Sequence, residues 1–284
     1  MPEPLTVVVP TRDRPQLLER CLAALQAELL PGDQLVVVDS APQVHPARPG
    51  ARVEIVRVAE RGASRARNAG WRAASHDLVA FVDDDVVVAP GWRQALTART
   101  ADFVLGKVEE HPDDAAVEHP LALTSSTTGT VVDRSGPLVP GGSGNLLVRR
   151  TALEGVRGFD EQLGPGTWFG SAEDLDLVDR LVAAGCTGWF EPTAVGWHVQ
   201  WRSGAEALRV HWAYGKGMGA RLSRLARVDR QRARLLLPGV TRLGGLRTAV
   251  TEGRRRTWGP PIAWRAGALV GLVAGFARLP RRPR

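Results

Sequence analysis

Cysteine is scarce in this chain, with only Cys21 and Cys186 in 284 residues. Two isolated thiols build neither a disulfide framework nor a zinc cluster, which points to a reducing, cytosolic setting. Lysine is equally rare: Lys107 and Lys216 are the only two, so arginine carries nearly all the positive charge. A GC-rich genome accounts for such a composition, but not for the clustering described below. The N-terminal run Met1-Pro2-Glu3-Pro4 lacks the basic and apolar regions of a signal peptide. Long apolar runs are missing too. The most apolar segment, residues 262–277, contains Arg265, and its uncharged remainder falls short of the about 20 residues that span a bilayer.

What is present suits a folded protein, since 44% hydrophobic residues can build a full core. The net charge of +7 hides a division. Residues 1–200 hold 18 Lys+Arg against 27 Asp+Glu, whereas residues 201–284 hold 19 against 3. This predicts a mildly acidic body over residues 1–200 and a basic, mostly helical extension over 201–284 that meets an anionic surface.

Short β-branched runs at residues 6–9, 34–39, 53–58, 78–82 and 103–108 alternate with helical segments at 15–28 and 63–74. Such alternation predicts an α/β fold with a mostly parallel sheet and a ligand site at the strand ends. Residues 111–143 read as a long connection on the substrate side, apart from a short apolar stretch at 129–132. A further strand is expected at 145–148. A helix is expected at 172–184, capped by Gly185, with a buried stripe at Leu177, Leu181 and Ala184.

The strand over residues 78–82 ends in Asp83-Asp84-Asp85. Three adjacent carboxylates at a strand end are unfavourable unless a cation offsets their repulsion. A divalent metal holding an anionic substrate answers that need; a solvated turn is the plainer alternative.

The runs Val7-Val8-Val9-Pro10-Thr11-Arg12-Asp13-Arg14, Val36-Val37-Val38-Asp39-Ser40, Ala66-Arg67-Asn68-Ala69-Gly70 and Phe81-Val82-Asp83-Asp84-Asp85 follow one another in order. Gly144-Asn145-Leu146, Gly158-Phe159-Asp160-Glu161 and Glu173-Asp174-Leu175-Asp176 continue the series. Over roughly residues 5–200 this set resembles family 2 glycosyltransferases of the GT-A fold. The resemblance implies a donor half at about 1–110 and an acceptor half at 111–200. It assigns Asp83 to the donor ribose, and Asp85 to Mn²⁺ or Mg²⁺ bridging a nucleoside diphosphate, with Asp83 counted among the metal's neighbours. Asp84 falls to the turn beside the donor, Asp39 to the nucleotide base, Pro10, Thr11 and Arg12 to the loop over base and ribose, and Arg67 to the diphosphate or its carboxylates. Arg61 and Arg65 compete with Arg67 for that place. His198 matches a histidine that reaches metal or diphosphate in several members, with packing among Trp197 and Trp201 as the alternative.

The same resemblance makes Asp174 the base that takes the acceptor's hydroxyl proton in an inverting displacement, with Glu173 and Asn145 on the acceptor side. Trp168 and Phe169, on a loop between Gly164 and Gly170, are candidates for an acceptor wall. Gly141–Gly144 permits close backbone approach. The expected partners are a nucleoside-diphosphate-sugar donor and a hydroxyl acceptor, lipid-linked or part of a cell-envelope glycan.

In the extension, Arg221, Arg224, Arg227, Arg230 and Arg234 recur every three or four residues, which predicts a basic helix face over 206–234. Gly267, Gly271 and Gly275 form a small-residue face that suits another helix, in a membrane or a homodimer. With Arg254–Arg256 and Arg278–Arg284 alongside, the extension predicts peripheral contact with the inner face of the plasma membrane. Two rival functions remain. A sugar nucleotidyltransferase ordinarily carries a glycine-rich phosphate loop after the first strand, which Thr11-Arg12-Asp13-Arg14-Pro15 is not. A non-catalytic nucleic-acid or membrane-binding protein would be indifferent to Asp83, Asp85 and Asp174, and nucleic acid is not the expected partner.

Overall fold

Valine alternation sets the layers of the molecule. In a strand successive side chains point to opposite faces, so Val8, Val36 and Val38 join one core with Phe81, Leu146, Phe159 and Leu177. Val7, Val9 and Val37 join a second with Leu22, Val82 and Trp92. A sheet buried on both sides results. The computed structural model describes residues 2–42, 53–112, 124, 126–134, 142–199, 204–241 and 259–280. Gly141, Trp201, Arg254–Arg256 and the arginines beyond residue 280, named above, lie outside the described residues, as does most of the connection over 111–143.

In chain order the elements are β1 (Leu5–Thr11), α1 (Pro15–Glu28), β2 (Gln34–Asp39), β3 (Val53–Arg57), α2 (Ala63–Ala73), β4 (Leu78–Val82) and β5 (Val86–Val88). Then come α3 (Trp92–Thr97), β6 (Phe103–Glu110), β7 (Thr130–Val132), β8 (Asn145–Arg149), α4 (Arg150–Val156), α5 (Glu173–Ala183) and β9 (Gly188–His198). The chain continues through α6 (Gly204–Val228), α7 (Arg230–Thr241) and α8 (Gly259–Arg278). The sheet order is β3-β2-β1-β4-β8-β6-β9-β5, with β7 on β9. β3, β2, β1 and β4 are mutually parallel, as the alternation predicts; β8 then enters antiparallel on both sides, between β4 and β6.

The chain forms two compact units, residues 1–159 with 177–200, and residues 160–176 with 201–284. In the first, α1 starts at Pro15, whose missing N–H costs nothing at a first helical turn, and buries Leu18, Cys21, Leu22 and Leu25. The α5 stripe differs from expectation: Ala184 is exposed, while Val178 and Val182 join Leu177 and Leu181 in the core. Gly185 takes the left-handed conformation expected of it, with φ of 91°.

In the second unit the expected basic outer face forms only in part: Arg230 and Arg234 are exposed, but Arg221, Arg224 and Arg227 of α6 are not. Arg221 and Arg224 are buried at 4% exposure. Arg227 donates to the carbonyls of Gly275 and Leu279 at 3.2 and 2.9 Å. The helix breaks at Asp229, whose carboxylate accepts from the Arg232 amide at 3.1 Å and so caps α7. Arg224 and Arg227 turn inward because buried acids and carbonyls offer partners that water would otherwise supply.

Candidate functional site

The carboxylates of the β4 end are held in place one by one. β4 delivers Asp83 to its carboxyl end, a turn closed by the Val86 amide on the Asp83 carbonyl (3.0 Å) follows, and β5 leaves the turn. Asp83, a third exposed, takes a hydrogen bond from Arg67 Nη2 at 2.6 Å. Asp84 accepts from Thr11 Oγ1 at 2.7 Å and from Arg14 Nη1 at 2.8 Å. Asp85 lies 3.3 Å from the same Arg14 nitrogen and 3.6 Å from His198 Nε2. That last contact follows from register, since β5 pairs with β9 so that Val86 faces His198.

The electrostatics match the crowding. Burial, only partly countered by Arg14 and reinforced by Asp85, pushes the Asp84 carboxyl up to about 7. Beneath it the Cys21 thiol is raised well above its ordinary value, first by burial and then by Asp84, Asp85 and Asp83. The unit thus carries a pool of negative charge at its strand ends, braced by two guanidinium groups.

α2 explains two of the sequence motifs at once. Of the three arginines that competed for the carboxylates, Arg67 is buried and reaches Asp83, while Arg65 pairs with Glu60 and Arg61 is exposed. Asn68 clamps the Gly158-Phe159 segment, donating to the Phe159 carbonyl and accepting from its amide, both at 2.9 Å. Phe159 in turn lies under Arg67, 5.5 Å from guanidinium carbon to ring centroid.

At the end of β2, Asp39 is gripped by Arg57 and accepts from the Ala41 amide at 2.8 Å. Arg12 reaches the Ser40 carbonyl, which ties the loop after β1, beyond Pro10, to the loop after β2. Asn145, expected on the acceptor side, is fully buried, and its amide is committed elsewhere. It donates to the carbonyls of Lys107 and Ala194 at 2.9 and 2.7 Å and accepts from Trp92 Nε1 at 2.8 Å. Its place is in the sheet, where it bridges β6, β8 and β9.

The second unit holds Trp168, Glu173 and Asp174. Trp168 is 43% exposed and stands edge-on to the buried Phe169 at 5.0 Å. Lys216 and Arg278 lie over the Trp168 ring, at 4.6 and 4.4 Å from its centroid. Glu173 is buried, whereas Asp174 is half-buried and accepts from the Leu175 amide at 2.7 Å. Ala172, just before them, has φ of 70°, a conformation that costs a non-glycine residue about 1 kcal/mol or more. Arg224 of α6 donates to both Asp160 and Asp176, and all three side chains are at most 5% exposed. Ser171 Oγ donates to the Ala213 carbonyl of α6 at 2.9 Å.

Arg14, Arg57 and Arg224 are the partners that sequence reasoning missed as site residues. Arg14 stands at the end of the first family-like run, next to the helix-opening Pro15, and Arg224 reads from its spacing as part of an outer basic face; nothing local marks Arg57.

As metal ligands, Asp83 and Asp85 offer hard oxygen donors, and His198 stands beside Asp85. Among the described residues no three or more His, Cys, Asp or Glu side chains converge into a cage. A divalent cation that shares a diphosphate needs no cage, because phosphate oxygens and water fill most of its positions. The donor set fits such an ion.

Residues 6–155, more than half of the chain, match the family model described as "Glycosyl transferase family 2". A pre-mycofactocin glycosyltransferase from Mycobacterium tuberculosis is 29% identical over 209 residues, covering 68% of this chain and 42% of that protein. The chain thus spans less than half the length of the curated relatives it matches. Among solved structures, the mannosyltransferase PcManGT from Pyrobaculum calidifontis, in complex with GDP-Man and Mn²⁺, superposes with a TM-score of 0.63 at 17% identity, covering 96% of this chain and 88% of that one. S. aureus TarS 1-349 in complex with UDP-GlcNAc does so with a TM-score of 0.55 at 16% identity, over 77% and 66%. The matched residues run through every strand that carries the donor-side carboxylates, so the chain belongs to glycosyl transferase family 2 and has its GT-A fold.

Proposed function

We propose that this chain is a metal-dependent, inverting glycosyltransferase that moves a sugar from a nucleoside diphosphate to a hydroxyl acceptor. The observation that carries the reading is the braced carboxylate cluster at the β4 end, where Arg67, Arg14 and Thr11 hold three acids that would otherwise repel. Asp83, Asp85 and His198 would hold Mn²⁺ or Mg²⁺, which when bound supplies positive charge against the leaving diphosphate. Arg67 adds fixed charge on the same side. Asp39, with Thr11 and Arg12, receives base and ribose. The named neighbours in complex with GDP-Man and with UDP-GlcNAc favour a nucleotide-sugar donor.

Asp174 is the general base. Its half-exposed carboxylate takes the acceptor hydroxyl proton as that oxygen bonds to the anomeric carbon, and the bond to the diphosphate breaks with its electron pair leaving on oxygen. Trp168, 43% exposed beneath Lys216 and Arg278, stands on the acceptor side of this reading. A lipid-linked or cell-envelope acceptor suits the basic C-terminal region.

Calorimetry with UDP, GDP and dTDP, each with and without Mn²⁺, tests the donor side. One nucleotide should bind in a metal-dependent way, and Asp85→Ala should weaken it by about 10- to 100-fold or more. In the same assay Asp174→Asn should bind as wild type yet lose roughly 10²- to 10⁴-fold in kcat with the matching sugar nucleotide. Folded protein that binds no nucleotide would falsify the transferase reading; full turnover by Asp174→Asn would remove only the base.

A further inference from the structure

The α6–α8 pair is packed in the reverse of the usual order. Helices that meet in water turn their large apolar side chains toward each other and small or polar ones outward. α8 meets α6 through Gly267, Ala268, Gly271 and Gly275, so closely that a methyl group at Gly267 or Gly271 would overlap the carbonyls of Trp212 or Lys216. Gly215 and Gly219 of α6 are equally tight against the α8 backbone. The large residues are left outside. Ile262, Leu269 and Val273 are 61%, 64% and 65% exposed, and Phe276 is 50% exposed. Their spacing places them, with Val270, on one stripe of the helix opposite the glycines. Small-residue seams with large apolar residues outward are how helices pack in lipid, where the surroundings return the dispersion contacts that water does not.

Charge selects the occupant. α8 contains no acidic residue, and Arg265 lies exposed at the N-terminal edge of the stripe, whereas Arg278 is on the glycine side over Trp168. Residues 201–284 carry 19 basic residues against 3 acidic. A second copy of this chain would bring the same charge to the same stripe, and its glycine seam is already filled by its own α6. Among the described residues no helix is long and apolar enough to cross a membrane. A helix of 20 residues is about 30 Å long, which suffices to lie along a surface.

We propose that α8 lies flat in the headgroup region of an anionic phospholipid bilayer, with Ile262, Leu269, Val270, Val273 and Phe276 immersed and Arg265 at the lipid phosphates. Within the basic extension from which the sequence predicts membrane contact, the immersed surface is the outer stripe of α8 and not the row Arg221, Arg224 and Arg227 of α6. It does not depend on the sugar-transfer reading, and its test needs no substrate.

The full chain is sedimented with phosphatidylcholine vesicles, with and without phosphatidylglycerol, at two salt concentrations. Wild type should favour the anionic vesicles by on the order of tenfold, less at high salt. Leu269→Asp with Val273→Asp should lose that binding by a similar factor while circular dichroism stays unchanged. Should the double variant misfold, Arg265→Glu alone should still lower the preference for anionic vesicles several-fold. The proposal is overturned if wild type stays in the supernatant, if the variants bind as wild type does, or if the double variant converts a solution dimer to a monomer. That last result would assign the stripe to a second copy.

Discussion

At the scale of residues, the chemistry depends on partners that stand far away in sequence. Arg14 bridges Asp84 and Asp85 across about seventy positions, and Arg224 joins Asp160 to Asp176 from α6. Burial works against the Arg224 charge, but the two acids outweigh it and raise its pKa. Removing one member of such a buried set leaves the others uncompensated. Arg224→Ala should therefore lower stability by about 3–5 kcal/mol, measured by chemical denaturation. Replacing all three charges together, with Asp160→Asn, Asp176→Asn and Arg224→Met, should cost less; an equal or larger loss would contradict this account.

Asp33 permits a pH test away from the site. Its side chain is 1% exposed, and it accepts from Arg93 at 2.6 and 2.8 Å and from the Leu5 and Leu30 amides. Burial alone would raise its pKa, but Arg93 and the amides together lower it. The unfolded chain then holds the proton more readily than the folded one. The pair's contribution is present above the unfolded carboxylate pKa of about 4 and is lost as pH falls through the lower folded value. Asp33→Asn should cost about 3 kcal/mol at pH 7, and its gap to wild type should close below pH 4. A gap that stays constant down to pH 3 would show that the ion pair is not its source.

At the scale of elements, periodicity was a good guide wherever one face of a strand or helix meets the core. α1 begins and ends where its proline and its apolar spacing place it, and β4 carries its acids to the expected end. Close approach was less visible. Gly70 sits where α2 crosses β1, and an added methyl would overlap the Val8 side chain and touch Val38. Gly70→Ala should destabilise the fold by about 1–3 kcal/mol, read as a lower denaturation midpoint with unchanged slope. Because α2 also carries Arg67 and Asn68, a retained midpoint would mean that this contact relaxes freely. Polar periodicity misled in α6, where arginines at helical spacing read as a wet face. The same spacing serves equally to aim them inward, and only the buried acids and carbonyls of the folded chain decide between the two.

At the scale of the whole molecule, charge division and grouping follow different lines. The acid-to-base change falls near residue 200, yet residues 160–176, with Trp168 and Asp174, group with the C-terminal helices. A chain read linearly has no signal for that, since the tie runs through Arg224, Ser171 and the α6 glycines.

The strands over residues 5–82, their parallel pairing, the carboxylates at the end of β4 and the family motifs were legible in the sequence, because they rest on local periodicity and on short contiguous runs; the antiparallel entry of β8 and the pairing of β5 and β7 with β9 were not. Which arginine meets which acid, the burial of Asn145, and the outward turn of the large residues on α8 were decided by tertiary structure alone. Those outcomes depend on what lies opposite each side chain once burial has removed water as a partner, and a buried charge or amide takes whichever distant group the fold presents.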